Sequence, residues 1–414
     1  MLKNIWIFNH YATSMYKDQA GRHYWFAENL IKAGYSPTIF CASTIHNLNE
    51  NLDTAGNKYI SYNLYGIPFV FIKTPKYNGN GKERIKNIIS FYLNIFPVSK
   101  AYSSVCGKPD IILASSVHPL TLLAGIKIAK KFGVPCICEV RDLWPESLVA
   151  YGFLKRNSMA AKLLYQGEKW IYKNADAVIM TWEGGKQYII DQGWDKEIDL
   201  NKVKHIGNGV IINSFDKNSQ ENSYTDTDLD DKNYKNIVYA GSIRKVNNLG
   251  LLLDSAKIVQ KINKKIRFLI YGSGDEKEIL EKRCIDERII NVFFKGRVEK
   301  KMIPSILKKS YANILHNSST CLDKYGQSQN KFFEYLAAGK CVIQTYTTGY
   351  SILERYKCGV SAPVQTPEEI AKAIIDVCSD DAKAEQMGQN GRMIAYEFDF
   401  EKLTNQLIAM IENR

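Results

Sequence analysis

The segment SQNKFFEYLAAGKCVI, residues 328–343, combines residue types that suit an anionic ligand. Ser328 is placed to cap a helix that begins near Asn330. Free amides at such a helix start, together with the positive end of its dipole, favour a diphosphate, and Lys331 adds a point charge there. Glu334 lies one turn further in, where its carboxylate could accept two hydrogen bonds from a ribose diol. An ordinary surface helix explains the same residues equally well.

Charged residues also follow two apolar runs in the first half of the chain. His118, in SSVHPL, could donate to a sugar hydroxyl, share charge with a diphosphate, or simply belong to the start of a helix. The segment EVRDLWPES brings together four charged residues, which are Glu139, Arg141, Asp142 and Glu146. This density suits hydrogen bonding to a sugar or a phosphate, and a salt-bridged structural loop explains it equally well.

Composition limits the class of protein. The 414 residues predict about two domains, and 45% apolar with 24% charged residues is typical of a soluble globular chain. The first apolar run is too short for a signal peptide, and no run approaches the roughly 20 apolar residues of a membrane-spanning helix, so we expect a cytoplasmic protein. The net charge of +12 suits nucleic acid, an anionic membrane or phosphorylated substrates. The sequence contains neither zinc-finger spacing nor a basic-aromatic RNA motif, so it gives little support to nucleic-acid binding.

Cofactor chemistry finds little support in the residue pattern. The nine cysteines and six histidines have no metal-ligand spacing, so we expect free thiols and no bound metal. No Gly-x-Gly-x-x-Gly follows the first predicted strand, which disfavours an NAD dehydrogenase. The sequence therefore predicts no cofactor.

Short apolar runs alternate with amphipathic stretches, a pattern typical of parallel sheets flanked by helices. Strands are predicted at 4–9, 37–42, 68–72, 110–114, 135–140 and 176–181, and again at 236–240, 266–271, 291–294, 312–315 and 340–344. Helices are predicted at 21–33, 84–96, 119–131, 159–173, 249–261, 275–284, 300–308, 330–338, 367–378 and 382–396. The fold class is therefore α/β with two doubly wound sheets. Ligands of such sheets bind at the carboxyl ends of the strands, where the charged clusters fall.

One stretch interrupts this alternation. Residues 216–235 are nearly devoid of aliphatic side chains, which predicts a surface insertion or flexible linker. The predicted organisation is an N-terminal domain over 1–207, an inter-domain segment over 208–235, a C-terminal domain over 236–397 and a last helix within 398–414.

The segment SQNKFFEYLAAGKCVI resembles the nucleotide-sugar segment of glycosyltransferase family 4, nearest the L-fucosamine transferase-like capsule and O-antigen transferases. Five further segments resemble the family in its order: GRHYWFAENLIKAGYSPTIFCAS (21–43), PDIILASSVHPLTLLAG (109–125), CEVRDLWPES (138–147), IGNGVIINSF (206–215) and YAGSIRK (239–245). The resemblance covers essentially the whole chain except the polar insertion.

This resemblance implies a retaining, metal-independent glycosyltransferase of the GT-B fold, with two Rossmann-like domains facing a central cleft. It implies a UDP-sugar donor, for example one carrying an N-acetylated hexosamine, bound by the C-terminal domain. A lipid-linked saccharide for capsule or O-antigen would bind the N-terminal domain, against which the last helix would pack. Fixed cations and amides would stabilise the leaving diphosphate.

The resemblance also assigns roles in the N-terminal domain. His118 resembles the family histidine near the transferred sugar, and Asp142 is our choice for a carboxylate near the acceptor, so these are the predicted catalytic residues. His10, Arg141 and Glu146 are weaker candidates for acceptor binding.

For the donor, the resemblance adds Gly21, which would let the backbone approach the diphosphate. Arg244 and Lys245 are the predicted phosphate-binding cations. Two positions depart from the family, because Asn247 stands where we align its lysine and Gly326 where we align a glutamate. These departures keep open a non-catalytic nucleotide-sugar-binding subunit. The sequence is also compatible with a GDP-sugar-dependent transferase and with a nucleotide-sugar epimerase of the same fold.

Segment 82–102 predicts an amphipathic helix. Its apolar face comprises Ile85, Ile88, Ile89, Tyr92 and Phe96, and lysine and arginine surround it. Such a face suits either peripheral contact with the anionic inner leaflet of the plasma membrane or packing on the protein core.

Overall fold

The computed structural model describes residues 3–46, 50–79 and 81–413. The chain forms two compact units, one comprising residues 1–207 with 400–414 and the other residues 208–399. Each unit has its own sheet.

Eight strands form the sheet of the first unit: β1 (Asn4–Phe8), β2 (Ser36–Ala42), β3 (Tyr59–Leu64), β4 (Ile67–Ile72), β5 (Ile111–Ser115), β6 (Cys136–Val140), β7 (Ala177–Met180) and β8 (Val203–His205). Their order is β3-β4-β2-β1-β5-β6-β7-β8. Neighbouring strands are parallel except for β3, which pairs antiparallel with β4 at one edge. The central strands β5 and β6 are buried along their whole length, as their continuous apolar runs require.

The helices that connect these strands are α1 (Thr13–Asp18), α2 (Arg22–Lys32), α3 (Lys82–Cys106), α4 (Pro119–Phe132), α5 (Glu146–Ala150), α6 (Met159–Asn174) and α7 (Gly185–Asp191), with a 3-10 helix at Leu200–Lys202. Helix α3 continues through Pro97, past its predicted end. Its buried face contains Phe91 and Ile95, not the predicted apolar face, of which Ile85 and Ile89 are exposed.

The second unit has the strands β9 (Lys235–Ala240), β10 (Ile266–Tyr271), β11 (Val292–Gly296), β12 (Ala312–Leu315), β13 (Cys341–Gln344) and β14 (Gly359–Ser361). They are parallel and lie in the order β11-β10-β9-β12-β13-β14. This is the strand order of a Rossmann fold, with its switch point between β9 and β12.

Helices of the second unit are α8 (Ile212–Glu221), α9 (Thr227–Asp230), α10 (Leu249–Ile262), α11 (Lys277–Asp286), α12 (Ile303–Lys309), α13 (Asn330–Ala337), α14 (Ile352–Tyr356), α15 (Pro367–Ser379) and α16 (Asp381–Ala395). Short 3-10 helices lie at Lys245–Asn247, Lys300–Met302, Cys321–Tyr325 and Tyr396–Phe398. After them, α17 (Phe400–Glu412) returns to the first unit, where the Phe400 ring centroid lies 4.7 Å from that of Trp25.

The structure confirms the predicted pair of doubly wound α/β sheets and corrects the predicted insertion. Half of 216–235 is occupied by α8 and α9 rather than by a linker. Asp226 caps α9 by accepting from the Leu229 amide at 3.1 Å, and it pairs with Lys295 at 2.9 Å. Polar contacts hold this segment, so its low aliphatic content was misleading. In the described part of the chain, no helix has both the length and the apolar character needed to cross a lipid bilayer.

Candidate active site

The loops that follow β9, β10 and β11 are joined by backbone hydrogen bonds at one edge of the second sheet. The Gly241 amide donates to the Tyr271 carbonyl at 2.9 Å. The Gly272 amide donates to the Gly296 carbonyl at 2.8 Å. At Gly272 φ is +150°, and a Cβ there would lie 1.8 Å from the Gly241 carbonyl oxygen. Glycine is required for this approach, which brings the loop after β10 against the loop after β9.

A cavity of about 700 Å³ opens at this edge. Its lining combines strand-end backbone with charged side chains: Ala240, Gly241, Ser242, Arg244, Tyr271, Gly272, Ser273, Arg297, Val298, Glu299, Lys300, Ile303 and Glu334. Its volume and its place at strand carboxyl ends are those of a small-molecule site of an open α/β sheet.

The cations of this cavity come from two loops. Arg244 follows β9, as predicted, whereas Arg297 and Lys300 follow β11 and were missed. The signal for the missed pair was GRVEKK directly after a strand. Glu334 also lines the cavity; burial raises the pKa of its carboxyl, and the charge of Lys300 opposes that rise. The cavity therefore offers several cations and a carboxylate that can accept hydrogen bonds from hydroxyl groups.

Lys331 lies beside the Gly241 loop, one turn before Glu334 on α13. Its Nζ donates to the Tyr239 hydroxyl at 3.2 Å and lies 4.5 Å from the centre of that ring. A Cβ on Gly241 would be 3.2 Å from this Nζ. Burial lowers the pKa of Lys331 to about 8, and within the described residues no carboxylate pairs with it. An uncompensated cation in this position favours an anionic ligand.

The start of α13 differs from the prediction. Ser328 does not cap the helix, because its Oγ accepts from the Asn208 amide at 2.9 Å. Gln329 precedes the first helical residue and makes no capping hydrogen bond with its side chain, and Asn330 is exposed. The first amides of α13 are thus left without a side-chain cap, which is the arrangement that an anion can complete.

The two departures from the family pattern have structural explanations. Asn247 Oδ1 accepts from Ser242 Oγ at 2.9 Å and from the Arg244 amide at 3.3 Å, so this side chain orders the loop that carries Arg244. Lys245 is exposed and is not part of the cavity lining, which leaves its predicted donor contact unsupported by geometry. Gly326 has φ +99°, a conformation that L side chains rarely adopt.

In the first unit, His10 and His118 meet where β1 and β5 lie side by side. His10 Nδ1 is 2.6 Å from His118 Nε2, and His10 Nε2 is 2.7 Å from Asn87 Oδ1. The His10 ring also stacks on Phe91 at 4.4 Å. Both nitrogens of His10 are therefore used within the protein, which leaves its predicted role in acceptor binding unsupported by geometry. His118 precedes α4 as predicted and is 3% exposed.

Glu139 is the centre of a buried network. It accepts from Arg22 Nε at 2.7 Å and contacts His23 Nε2 at 2.8 Å. Ser115 Oγ donates to it at 2.7 Å. Burial opposes its charge, but Arg22 and His23 together hold the pKa of Glu139 well below its usual range. This carboxylate is structural. Gly21, with φ +118°, immediately precedes the helix that begins at Arg22, and its predicted donor contact stays a prediction.

The remaining candidates after β6 are Arg141, Asp142 and Glu146, and they differ in exposure. Glu146 is buried, pairs with Arg156 and accepts from the Tyr165 hydroxyl at 2.7 Å, which leaves its predicted role in acceptor binding unsupported by geometry. Asp142 is exposed and Arg141 is half-buried. The predicted roles of Asp142 near the acceptor and of Arg141 in acceptor binding stay predictions. Among the described residues, no three His, Cys, Asp or Glu side chains are grouped as a metal site would require.

Family models match both units of the chain. Glycosyltransferase Family 4 matches residues 24–213, and Glycosyl transferases group 1 matches residues 224–393. Together the two matches cover most of the chain. It therefore belongs to the glycosyltransferases of the GT-B fold and is an enzyme of that class.

Individual relatives agree at low sequence identity. The probable glycosyltransferase WbjE of Pseudomonas aeruginosa is 19% identical over 316 residues, 75% of this chain and 76% of that protein. Anabaena HepE in complex with UDP has a TM-score of 0.69 and 13% identity over 100% of both chains. A trehalose-6-phosphate structure from E. coli, bound with UDP-2-fluoro glucose, has a TM-score of 0.73 and 11% identity over 100% of this chain and 99% of that chain. The structural likeness establishes the fold.

Proposed function

We propose that this chain is a retaining, metal-independent glycosyltransferase that moves a sugar from a UDP-sugar to a lipid-linked saccharide. The transferred sugar is, for example, an N-acetylated hexosamine, and the product serves a surface polysaccharide such as capsule or O-antigen. The observation that carries the donor half of this proposal is the cation-lined cavity at the carboxyl edge of the second sheet.

The cavity offers what a nucleoside diphosphate needs. Arg244, Arg297 and Lys300 supply positive charge from two loops, and Lys331 supplies it beside the uncapped start of α13. These groups would offset the charge that develops on the leaving diphosphate without a metal ion. Glu334 would accept from both hydroxyls of the ribose. Two structural neighbours hold UDP or a UDP-sugar analogue, which favours uracil as the base.

Thermal stability against UDP, GDP, ADP, CMP and NAD, each with EDTA present, tests the donor. A ligand at about a hundred times its dissociation constant adds roughly 2.7 kcal/mol, which is measurable as a melting shift. We expect a shift with UDP that EDTA leaves intact and that Glu334→Ala abolishes. A response to GDP alone would replace the UDP-sugar by a GDP-sugar, and a response that EDTA removes would refute metal independence. The anomeric configuration of the product, read by NMR, tests retention.

A membrane-bound acceptor is supported by the exposed face of α3. Ile85, Ile89 and Leu93 recur every four residues and are 56%, 45% and 59% exposed. Lys82 and Lys86 are exposed on the same helix. An apolar stripe flanked by lysine suits insertion at the surface of an anionic leaflet, where a lipid-linked saccharide is presented.

Flotation with vesicles tests this surface. We expect the protein to float with vesicles containing phosphatidylglycerol and to float less with neutral phosphatidylcholine vesicles. Leu93→Glu should release it, whereas Val105→Glu, at a more exposed position of the same helix, should not. Equal release by both variants, or no flotation of the unmodified protein, would refute membrane contact through α3.

A further inference from the structure

Asn87 is a buried amide whose orientation the structure fixes. Its Nδ2 donates to the Pro75 carbonyl at 2.6 Å and to Thr44 Oγ1 at 3.1 Å. Because a carbonyl oxygen can only accept, the amide nitrogen must face Pro75 and the amide oxygen must face the other way. That oxygen, Oδ1, lies 2.7 Å from His10 Nε2.

The fixed amide determines which nitrogens of the two histidines carry protons. Oδ1 of Asn87 is an acceptor, so His10 Nε2 donates and the Nδ1 of the neutral His10 ring is an acceptor. His118 Nε2 lies 2.6 Å from that Nδ1 and must therefore donate. The neutral His118 ring is left with an unprotonated Nδ1, which can only accept a hydrogen bond.

The surroundings keep this pair of rings uncharged. Burial lowers the pKa of His118 to about 3, and the positive charge of Arg84 adds to the effect. Burial also holds the pKa of His10 well below its ordinary value, and His118, His46 and Arg84 lower it further, with only the Asn87 hydrogen bond acting in the opposite sense. Both rings are therefore neutral at pH 7.

The acceptor atom at the end of this series has no partner. His118 Nδ1 is buried and makes no hydrogen bond with any described residue. An unsatisfied buried polar atom costs about 1–3 kcal/mol, so a group that supplies a proton there gains a correspondingly favourable contact. The atom lies just after β5, at the switch point of the first sheet, where ligands of such sheets bind.

We propose that Asn87, acting through His10, fixes His118 as a hydrogen-bond acceptor that recognises a hydroxyl or amide N–H of the transferred sugar and not the diphosphate. The identity of the ligand rests on the proposed function, whereas the protonation pattern belongs to the protein alone. Asn87 and His10 are positioning residues, and His118 is the group that contacts the sugar. Donation to a sugar hydroxyl and charge sharing with a diphosphate would both require a proton that the neutral His118 ring lacks at Nδ1.

NMR of protein labelled with 15N in its six histidines reads this pattern directly. His118→Gln assigns the His118 signals by their disappearance. We expect His10 and His118 each to carry the proton on Nε2, with no titration of either ring between pH 5.5 and pH 8. A protonated Nδ1 on His118, or a cationic ring in this range, would overturn the inference while leaving the transferase proposal intact.

Variants test the positioning role. Asn87→Ala removes the fixed acceptor, and His10→Phe removes the ring while keeping an aromatic group stacked on Phe91. Either change should release His118 into a mixture of the two neutral tautomers. Thr44→Val is the matched control, because Pro75 still orients Asn87, and it should leave the tautomer unchanged. An unchanged tautomer in both Asn87→Ala and His10→Phe would refute the relay.

The ligand is tested with UDP-N-acetylglucosamine, UDP-glucose and UDP on the same sample. A sugar nucleotide should move the His118 Nδ1 signal in the direction of an accepted hydrogen bond, and UDP should not. An equal change with UDP, or no change while a sugar nucleotide raises the melting temperature, would overturn the assignment to the sugar. If no nucleotide binds at all, the proposed function fails and the ligand assignment fails with it, but the tautomer measurement still stands on its own.

Discussion

Replacing Lys331 by Met should make the ligand-free protein more stable and its nucleotide complex weaker. The pKa of this lysine falls from its ordinary 10.5 to about 8 on burial. That difference corresponds to about 3 kcal/mol, at 1.36 kcal/mol for each tenfold change in proton affinity. Met keeps much of the length and apolar contact of the lysine stem while removing the charge, so about 3 kcal/mol is the upper limit of the gain in folding free energy.

The pH dependence has a definite sign. Below pH 8 the lysine is protonated in both the folded and the unfolded chain, so the whole penalty for burying the charge is present. Between about pH 8 and pH 10.5 the folded protein loses this proton before the unfolded chain does, and the penalty disappears. The advantage of Lys331→Met should therefore be largest at pH 7 and vanish near pH 10.5.

Denaturant unfolding at pH 7 and pH 10, with UDP titrations at pH 7, measures both effects. Loss of a charge-assisted hydrogen bond of about 1.5–3 kcal/mol predicts roughly 10- to 150-fold weaker UDP binding. Lys264→Met is the control, because Lys264 is exposed before β10 and should change stability by less than about 0.5 kcal/mol. A Lys331→Met protein that is less stable at pH 7 and binds UDP normally would refute the reasoning and leave Lys331 as a structural partner of Tyr239.

Three further changes have defined outcomes. Glu334→Gln should weaken UDP binding, measured by calorimetry, by about 1–3 kcal/mol. The melting temperature of the free protein should stay nearly unchanged or rise, because burial already opposes the charge of Glu334. Tighter UDP binding would contradict the ribose contact. Gly272→Ala should lower the free energy of unfolding in urea by about 3 kcal/mol or more, because its Cβ would overlap a carbonyl oxygen. Gly296→Ala, with open space around its Cβ, should lower it by about 1 kcal/mol. Equal losses in the two variants would contradict the close approach at Gly272. Arg22→Met should destabilise the protein by about 3–5 kcal/mol at pH 7, because it leaves the buried Glu139 charge unpaired. In the unmodified protein, the stabilising contribution of the pair should be lost as pH falls through the depressed pKa of Glu139. A loss of stability below about 1 kcal/mol in Arg22→Met would contradict this role of the ion pair.

Apolar periodicity predicted the fold well because both sheets are buried. The eleven predicted strands are all present, since each contains a run of aliphatic and aromatic residues, and most of them are buried. The missed strands lie at the sheet edges, where burial is incomplete. Strand β3 reads YISYNL and is half-buried or exposed throughout, and β14 has three half-buried residues. An edge strand with one face in water does not produce the continuous apolar run on which the prediction depended.

The site was harder to predict because proximity across loops leaves no local pattern. Arg297 and Lys300 follow β11 and Arg244 follows β9, yet all three line the same cavity. The same limit applies to candidates whose polar atoms already have partners. Glu146 and His10 have suitable chemistry after predicted strands, but each is occupied by partners distant in sequence, such as Tyr165. Residue type and position after a strand identify candidates, whereas the free atoms of each side chain decide which candidates can bind.

The two departures from the family pattern do not argue for a subunit that binds without catalysis. A lysine at 247 would lose the acceptor oxygen that orders the loop carrying Arg244. The positive charge missing at that position is supplied by Arg297 and Lys300, which line the same cavity. At position 326, φ of +99° disfavours any L side chain, so the backbone there suits glycine better than a glutamate. The cavity keeps its cations by a different route, and stabilisation of a leaving diphosphate depends on where the charges lie, not on which strand supplies them.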